Sequence, residues 1–298
     1  MEHNPIEDHG LSYDNEETEA SDDGVVYVEK GDDQMNWAME KARLTVSYFR
    51  DSLRAPQPLQ SNFALKARLQ EGDEVEHIWL SNVSLDEDGI FYGTIDNAPV
   101  RVTNVEMGTK MAVPPGMVSD WMVLENGRLI GGYTIRAARE ALEEEQQAAF
   151  DASVGFEIDL GVDYFEHNMR TPEGAILCLE DAYTSGNLDA AVACKDFETE
   201  AIMMLDQQDD FPKVEELIKD MAQVLELSFR EHMLEHGMPS FAGVLRAFPE
   251  RIRVEDDLYM ITEVCFHPDG GATLDRLLVT RKNGEWRVGP PINDEEEE

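Results

Sequence analysis

A series of short strand-like segments separated by turn residues constrains the fold most strongly. The strings "NFALKARLQ" and "VEHIWLSNVSL" alternate apolar and polar residues, as strands with one buried face do. "EGDE" lies between them and "DEDG" follows them, and both are typical turn sequences. A helical pattern of apolar residues from Met35 to Phe49 precedes these segments, and further strand-like runs extend to Arg136. The sequence therefore predicts an α+β domain over residues 32–137, with one helix and about five antiparallel strands.

The second half of the chain has helices first and strands after them. Thr171, Pro172 and Glu173 form a helix-start signal, because threonine caps a helix and proline suits its first position. A long amphipathic helix then ends at Gly237, and three strand-like runs follow it. This order predicts a second α+β domain with a curved antiparallel sheet.

Charge divides the chain further. Residues 1–31 and 294–298 are predicted to be disordered acidic tails, because they offer few large apolar side chains for burial. No lysine or arginine occurs in the 30 residues after Arg139, and "AAREALEEEQQAAF" has the composition of a polar helix. We predict an acidic helical linker over residues 138–164, followed by the second domain over residues 165–293.

Acidic residues dominate the charge of the chain. There are 63 of them against 24 lysines and arginines, which gives a formal net charge of −39. Nucleic acid and anionic membranes repel such a chain, so we expect neither as a partner. We expect a protein partner with a basic face, since opposite charge attracts it. Solubility, or adaptation to a salty cytoplasm, stays open as another reason for the acidity.

Cysteine usage and the lack of long apolar segments indicate a cytoplasmic protein. Cys178, Cys194 and Cys265 are odd in number and widely spaced, without the C-x-x-C pairs of a usual zinc site. No segment approaches the roughly 18 apolar residues that a spanning helix needs. The first residues also lack the basic start and apolar run of a secretory signal.

The first domain contains several distinctive strings in a fixed order. They are "FALKARLQEGDEVEHIWLSNVSL", "GTIDNAPV" and "VSDWMVLENGRLIGGYTIR", and the first helix precedes them. Through these strings the domain resembles the YegJ-like family of bacterial domains of unknown function. The resemblance classifies the domain but implies no activity.

The second domain opens with "TPEGAILCLEDAYTSGNLDAAVA" and closes with "DRLLVTRKNGEWRVGPP". Through these two strings it resembles the ketosteroid-isomerase-like cone, which is shared with nuclear transport factor two. The resemblance implies an α+β cone with a curved antiparallel sheet. Isomerases, dehydratases, transport adaptors and immunity proteins share that fold, so the resemblance implies no particular function.

The segment "EGDEVEHIWLSNVSL" combines a glutamate, a histidine and a tryptophan. Side chains alternate between the faces of a strand, so Glu76 and His77 point apart and cannot bind one ion. A half-buried scaffold strand is the first interpretation, and an interaction surface is the second. The candidates for that surface are residue types enriched at interface anchors, together with one acid. They are Trp79, Asp120, Trp121, Tyr133 and Arg136.

The string "HMLEH", from His232 to His236, fits the H-x-x-E-H pattern of some zinc proteases. Its two histidines share a helix face, but no third ligand with a distinctive context follows. Histidines at the end of a helix are also favoured by the helix dipole. We therefore predict no metal site and no cofactor.

Five polar side chains of the second domain are candidates for the pocket of a cone, where an acid or a histidine with a shifted pKa can act as a base. They are Asp181, Tyr183, Tyr259, Glu263 and His267. No acid–base string marks any of them as catalytic, and a filled core is the alternative interpretation. Nucleophile and phosphate-loop motifs are absent, so the sequence identifies no catalytic residue.

Two classes of function remain. The first is a non-enzymatic cytoplasmic protein-interaction module, for example an immunity protein that neutralises a toxin or effector with a basic face. The second is a small-molecule-binding protein or enzyme that uses the pocket of the cone domain. We predict the first class, because no catalytic constellation is visible. The sequence does not indicate the oligomeric state.

Overall fold

The computed structural model describes residues 33–206 and 214–292 of the 298-residue chain. Within these residues it contains seven α-helices and ten strands in two antiparallel sheets, which is the predicted α+β class. The predicted tails, residues 1–31 and 294–298, lie outside the described residues. None of the described helices is both long and apolar enough to cross a membrane.

The first sheet contains six strands and is covered by a long helix. The elements in chain order are α1 (Asp33–Arg54), β1 (Gln60–Glu71), β2 (Glu74–Leu85), β3 (Phe91–Ile95), β4 (Lys110–Val113), β5 (Val118–Glu125) and β6 (Arg128–Gly131). The strands lie in the order β4-β3-β2-β1-β5-β6. Helix α1 contributes Ala42 and Phe49 to a core that also contains Leu65, Ile78 and Trp121. The predicted helix and series of strands are therefore present.

The pairing of β1 with β2 follows the alternation in the sequence. Leu65 lies opposite Leu80 in the register, and both side chains are fully buried. His77 and Trp79 are one residue out of phase, lie on the other face of the sheet and are half-buried. Glu76 and His77 therefore point to opposite faces, as predicted.

The strand predicted to continue to Arg136 ends earlier, at Gly131. Gly131 and Gly132 have left-handed backbone angles, with φ values of 69° and 61°. A Cβ atom at Gly131 would lie 2.4 Å from the carbonyl oxygen of Trp121, so the chain can turn there only at a glycine. Helix α2 (Tyr133–Glu140) begins directly after this turn.

The predicted polar helix of the linker is divided into two helices. Helix α2 ends at Glu140, and α3 (Glu144–Val154) begins after Glu143, which forms a capping box with the first turn. Arg139 forms an ion pair with Asp151 at 2.6 Å, which ties α3 to α2. None of the residues of α3 is buried.

The second sheet has four strands in the order β10-β9-β8-β7. Thr171 caps the first helix as predicted, since its hydroxyl accepts a hydrogen bond from the backbone N–H of Gly174 at 3.0 Å. That helix buries Ile176 in a core with Ile261 and Val279 of the sheet. The elements are α4 (Pro172–Thr184), α5 (Leu188–Cys194), α6 (Phe197–Asp206), α7 (Glu215–His236), β7 (Leu245–Glu255), β8 (Leu258–Phe266), β9 (Ala272–Lys282) and β10 (Glu285–Pro291).

Helix α1 contributes to both cores. Its Trp37 and Leu44 pack against the core of the second sheet. The ammonium of Lys41 donates to the carboxylate of Asp163 at 3.1 Å and to the carbonyl oxygen of Phe248 at 2.6 Å. The division into two domains stays a prediction, and these contacts join the two parts in addition to the linker.

Candidate functional site

A buried polar cluster lies between α4 and the inner face of the second sheet. Glu180 projects from α4, while Glu263 and Cys265 share one face of β8 because they are two residues apart. We call these three residues the acid–thiol cluster. Their exposed fractions are 4%, 3% and 2%, respectively. Arg246 lies opposite Cys265 in the register of β7 and β8, and so reaches the same place.

Burial controls the protonation of this cluster. It raises the pKa of Glu180 to about 7, and the charge of Arg246 opposes the shift. Burial, and then the charge of Glu180, raises the pKa of Glu263 well above its ordinary value. Burial also raises the pKa of the Cys265 thiol to about 12. The guanidinium of Arg246 balances the negative charge of only one of the two carboxyls, Glu180 and Glu263. The two carboxyls together therefore retain one proton near neutral pH.

The cluster has polar atoms without a hydrogen-bond partner. The Oε1 atom of Glu263 and the Nε atom of Arg246 are buried, and neither forms a hydrogen bond. Buried polar atoms in native proteins are nearly always paired, so unpaired ones require an explanation. One ligand atom of Glu180, Glu263 and Cys265 lies within 4.8 Å of each of the others. Such a group can share a proton or hold a cation.

A cavity of about 340 Å³ lies beside the cluster. Its wall includes Tyr48 of α1, Tyr164 of the connecting segment, Leu177 of α4 and Arg246 of β7. The rings of the two tyrosines stack with their centroids 3.6 Å apart. Arg246 lines the cavity, and its Nη2 atom lies 2.6 Å from Oε2 of Glu180 in the cluster. The cavity has the size of a site for a small polar molecule.

Of the five predicted pocket residues, Glu263 lies in the acid–thiol cluster. Tyr259 lies on the inner face of the sheet, where its ring meets Trp286 edge-on at 5.2 Å between centroids. Tyr183 packs against Phe229 between α4 and α7. The two tyrosines are partly buried and pack against the core of the second sheet.

The other two predicted pocket residues lie at the surface. Asp181 is one residue after Glu180 on α4, and its carboxylate lies 2.6 Å from Nδ1 of the exposed His167. His267 lies in the turn after β8, where its ring is bonded to the hydroxyl of Thr273 at 3.1 Å. Neither side chain joins the cluster.

Sequence reasoning missed Glu180 and Arg246. Glu180 lies four residues after Ile176 on the buried side of α4, so an acid in an apolar helical stripe was a signal for it. Arg246 gave no local signal, because only the pairing of β7 with β8 brings it to Cys265.

A third buried acid lies between α1 and the second sheet. Glu173 is fully buried, and Nε of Arg251 lies 3.9 Å from its Oε1 atom. Burial raises the pKa of Glu173 to about 7, and the charge of Arg251 opposes the shift. The guanidinium of Arg251 also lies over the rings of Trp37 and Tyr259, at 4.8 Å and 4.5 Å from their centroids. These contacts hold α1 against the second sheet.

The predicted interaction residues come together in space, but four of the five are buried. Asp120 and Trp121 are fully buried, and Tyr133 and Arg136 are 4% and 9% exposed. A partner cannot reach them, which corrects the prediction of an exposed anchor group around Trp121. Trp79 is half-buried on the outer face of the first sheet, with the ammonium of Lys66 5.5 Å from its ring centroid.

The carboxylate of Asp120 explains this burial. It accepts hydrogen bonds from the backbone N–H and the hydroxyl of Thr134, at 2.8 Å and 2.6 Å, and from the backbone N–H of Tyr133. It therefore caps the first turn of α2, where a negative charge is favourable. The guanidinium of Arg136 donates to the carbonyl oxygen of Gly131 and so holds the other side of the turn.

Neither of the two motifs examined for metal binding has a complete ligand set. Glu76 accepts hydrogen bonds from the backbone N–H groups of residues 100–102 and faces away from His77. The rings of His232 and His236 stack at 4.5 Å at the exposed end of α7. In the part of the chain that the structure describes, no third ligating side chain joins either motif.

Helix α7 presents an unusual outer face to solvent. Its exposed side carries Asp220, Val224, Leu227, Glu231 and Leu234, at the spacing of one helical stripe. We call these five residues the acidic–apolar face. The three apolar side chains are 59%, 61% and 76% exposed, respectively. The two acids have no ion-pair or hydrogen-bond partner among the described residues, whereas basic residues beside them, such as Lys219, are paired.

Comparisons with known proteins classify the chain. A family described as an uncharacterized protein conserved in bacteria, DUF2314, matches residues 32–158. The chain is 32% identical over 199 residues to a protein of Neisseria meningitidis serogroup B named "Putative ankyrin repeat protein", and the match covers 64% of this chain and 74% of that protein. The chain therefore belongs to the DUF2314 family of bacterial proteins.

A second relative agrees with the predicted YegJ-like resemblance. The uncharacterized protein YegJ of Escherichia coli is 41% identical over 73 residues, which are 24% of this chain and 47% of YegJ. The chain thus matches about half the length of that relative. No solved structure matches the chain. The resemblance of the second domain to a ketosteroid-isomerase-like cone has no support from these comparisons and stays a prediction.

Proposed function

We propose that the protein is a non-enzymatic protein-interaction module of the cytoplasm that binds a protein with a basic face. The observation that carries this proposal is the acidic–apolar face of α7. It combines two acids that have no partner among the described residues with large exposed apolar side chains on one side of a long helix. The partner surface that fits it has lysine or arginine side chains around an apolar strip.

Charge and apolar contact have different roles in this proposal. The net charge of −39 attracts a basic partner and speeds its encounter, by about 10 to 1,000-fold at low salt. Charge alone gives little affinity once salt screens it. Val224, Leu227 and Leu234 supply the desolvated contact that affinity requires, because each exposes more than half of its surface.

An immunity protein that neutralises a toxin or effector is one module of this kind. Such a partner would be basic, and an acidic binding helix would capture it rapidly and reject acidic proteins. This choice of partner rests on charge complementarity. The buried position of Trp121 moves the proposed contact from the first domain to α7.

The experiment compares two variants that change charge equally. One carries Asp220→Lys and Glu231→Lys on α7, and the other carries Glu144→Lys and Glu145→Lys on the exposed α3. A basic protein cross-linked in the native host should be retained by the wild type and the α3 variant and lost by the α7 variant. Equal loss from both variants would indicate unspecific attraction and would contradict the proposed face.

The cavity beside Arg246 favours a second candidate, a small-molecule-binding protein or an enzyme. The observation is that Arg246 lines the cavity and also forms an ion pair with the buried Glu180. Native mass spectrometry of the purified protein tests this candidate. A small molecule bound by the wild type and lost in Arg246→Met would favour it, while an unliganded mass at physiological ligand concentrations would remove it.

A further inference from the structure

The acid–thiol cluster has the dimensions of a metal site. Sγ of Cys265 lies 4.0 Å from Oε1 of Glu180, and one ligand atom of Glu263 lies within 4.8 Å of both. Bonds from Zn²⁺ to sulfur and carboxylate oxygen are about 2.0–2.3 Å long, so two ligand atoms on one ion lie about 3.3–3.8 Å apart. Side-chain movements of less than about 1 Å would therefore bring all three atoms onto one ion.

An unpaired atom points independently to a ligand. Glu263 is 3% exposed, and its Oε1 atom has no hydrogen-bond partner. Leaving such an atom unpaired costs about 1–3 kcal/mol. A proton shared between the carboxyls of Glu180 and Glu263 is one way to satisfy the pair. A cation in the cluster would satisfy it.

The types of ligand select the kind of cation. A thiolate disfavours Mg²⁺ and Ca²⁺, which prefer oxygen ligands, and two carboxylates disfavour Cu⁺, which prefers sulfur. One sulfur and two carboxylates suit a borderline divalent ion such as Zn²⁺. The expectation of no metal came from the sequence around His77 and His232 and from the lack of C-x-x-C pairs, and sequence spacing does not bring Cys265 together with Glu180 and Glu263.

Arg246 would complete the balance of charge. Three anionic ligands, one divalent cation and one guanidinium sum to zero, which avoids the cost of a net buried charge. Arg246 forms an ion pair with Oε2 of Glu180 and leaves Oε1 toward Cys265, so it would orient this carboxylate without contacting the ion. Binding releases the thiol proton of Cys265, since the thiolate is the ligand.

We propose that Glu180, Glu263 and Cys265 bind one Zn²⁺ ion, with the fourth coordination position free for water or a small ligand. Three protein ligands and one open position are the arrangement of zinc sites that exchange a ligand. Arg246 lines the cavity and reaches the cluster, so the cavity lies on the side from which a small ligand could approach the ion. This site is independent of the acidic–apolar face of α7.

The test uses the full untagged chain, stripped with a chelator and titrated with Co²⁺. We expect one Co²⁺ per chain with a thiolate-to-cobalt charge-transfer band that Zn²⁺ removes by competition. Cys265→Ser should abolish the band, and Glu263→Gln should weaken Co²⁺ binding by at least about 10-fold. Cys194→Ser, at another buried thiol, and His232→Ala, at the exposed histidine pair, should keep the band.

X-ray absorption of the wild-type Zn²⁺ complex keeps the test decisive if Cys265→Ser does not fold. One sulfur with oxygen ligands around Zn²⁺ would support the proposal. A shell of oxygen alone would mean that surface acids bind the ion and would overturn it. A wild-type protein that gives no charge-transfer band at one equivalent of Co²⁺, or a band lost only in Cys194→Ser, would overturn it as well.

Discussion

The two parts of the molecule bury acidic side chains in opposite ways. Asp120, in the first domain, is fully buried, and its carboxylate accepts hydrogen bonds from Tyr133 and Thr134. Glu263, in the second domain, is equally buried, but its Oε1 atom has no partner. The carboxylate oxygens of Glu173 are also without a hydrogen bond. Asp120 holds α2 and β5 together. Glu263 and Glu173 lower the stability of the fold, because their buried oxygens lack hydrogen bonds.

This difference separates scaffold from candidate site. A satisfied buried acid strengthens the fold around it, while an unsatisfied one is retained only if something other than stability requires it. The second domain has three buried glutamates with carboxylate oxygens that lack a hydrogen bond, an exposed acidic–apolar helix face and a cavity at its junction with α1. The function that we propose therefore lies in the second domain, and the buried residues around Trp121 belong to the scaffold of the first.

The largest expected effect is on the satisfied acid. Asp120→Ala removes three hydrogen bonds to the start of α2 and a negative charge that favours the ammonium of nearby Lys66. Leaving one buried donor without its acceptor costs about 1–3 kcal/mol, so the loss of all three bonds should cost about 3–5 kcal/mol. Urea unfolding should therefore show a large loss of stability, with a smaller loss of about 1–2 kcal/mol in Asp120→Asn, which keeps acceptor oxygen. If Asp120→Ala lowered the free energy of unfolding by less than about 1 kcal/mol, the contrast between Asp120 and the buried glutamates would be wrong.

The next effect has the opposite sign and concerns Glu173. Its pKa is raised from 4.5 to about 7, so between these pH values the folded state keeps a proton that the unfolded chain has lost. Stability therefore falls as pH rises through this window and is constant above it. Glu173→Gln removes this loss, and should be more stable than the wild type at pH 8 by up to about 3 kcal/mol.

The measurement for Glu173 is urea unfolding at pH 4.5 and pH 8. The two proteins should differ little at the lower pH, because the wild-type carboxyl is protonated there in the folded state. Glu144→Gln, on the exposed α3, is the matched control and should follow the wild type at both pH values. If Glu173→Gln is less stable than the wild type at pH 8, Glu173 is ionised and stabilised by Arg251, and the second domain would resemble the first.

Local patterns predicted the elements better than the contacts between them. Residues close in sequence were enough to predict the alternation in β1 and β2 and the helix start at Thr171. They were also enough to predict that Glu76 and His77 point to opposite faces of the sheet. The turn at Gly131 was missed, because its cause is the carbonyl oxygen of Trp121 on the neighbouring strand. Sequence spacing likewise cannot place Arg246 beside Cys265, since strand pairing sets that distance.

A third, smaller effect concerns how firmly the two parts of the molecule stay together after the linker is cut. Helix α3 has no buried residue, so a protease that cuts after glutamate should first trim the predicted acidic tails and then cleave the folded chain between residues 143 and 145. We expect the two fragments to remain together in size-exclusion chromatography, because Lys41 and Asp163 form a buried ion pair across the cut. In Asp163→Ala they should separate more readily. Wild-type fragments that separate at once would mean that the domains are held only by the linker.

Substitutions in the acidic–apolar face of α7 should have the smallest effect on stability and the largest effect on binding. Val224→Ser, Leu227→Ser and Leu234→Ser combined change only exposed side chains, so the free energy of unfolding should change by no more than about 0.5 kcal/mol per site. The same triple variant should lose affinity for a synthetic amphipathic lysine–leucine helix. A variant that unfolds markedly would mean that these side chains support the fold.

Hydrogen exchange with that lysine–leucine peptide tests the central claim most directly, namely that the second domain binds a basic partner through α7. We expect protection of backbone amides in Glu215–His236 and none in β1 or β2, with protection reduced at high salt and absent in the triple serine variant. A glutamate–leucine peptide of the same length should give no protection. Protection on the first sheet instead, or equal protection by both peptides, would contradict the claim.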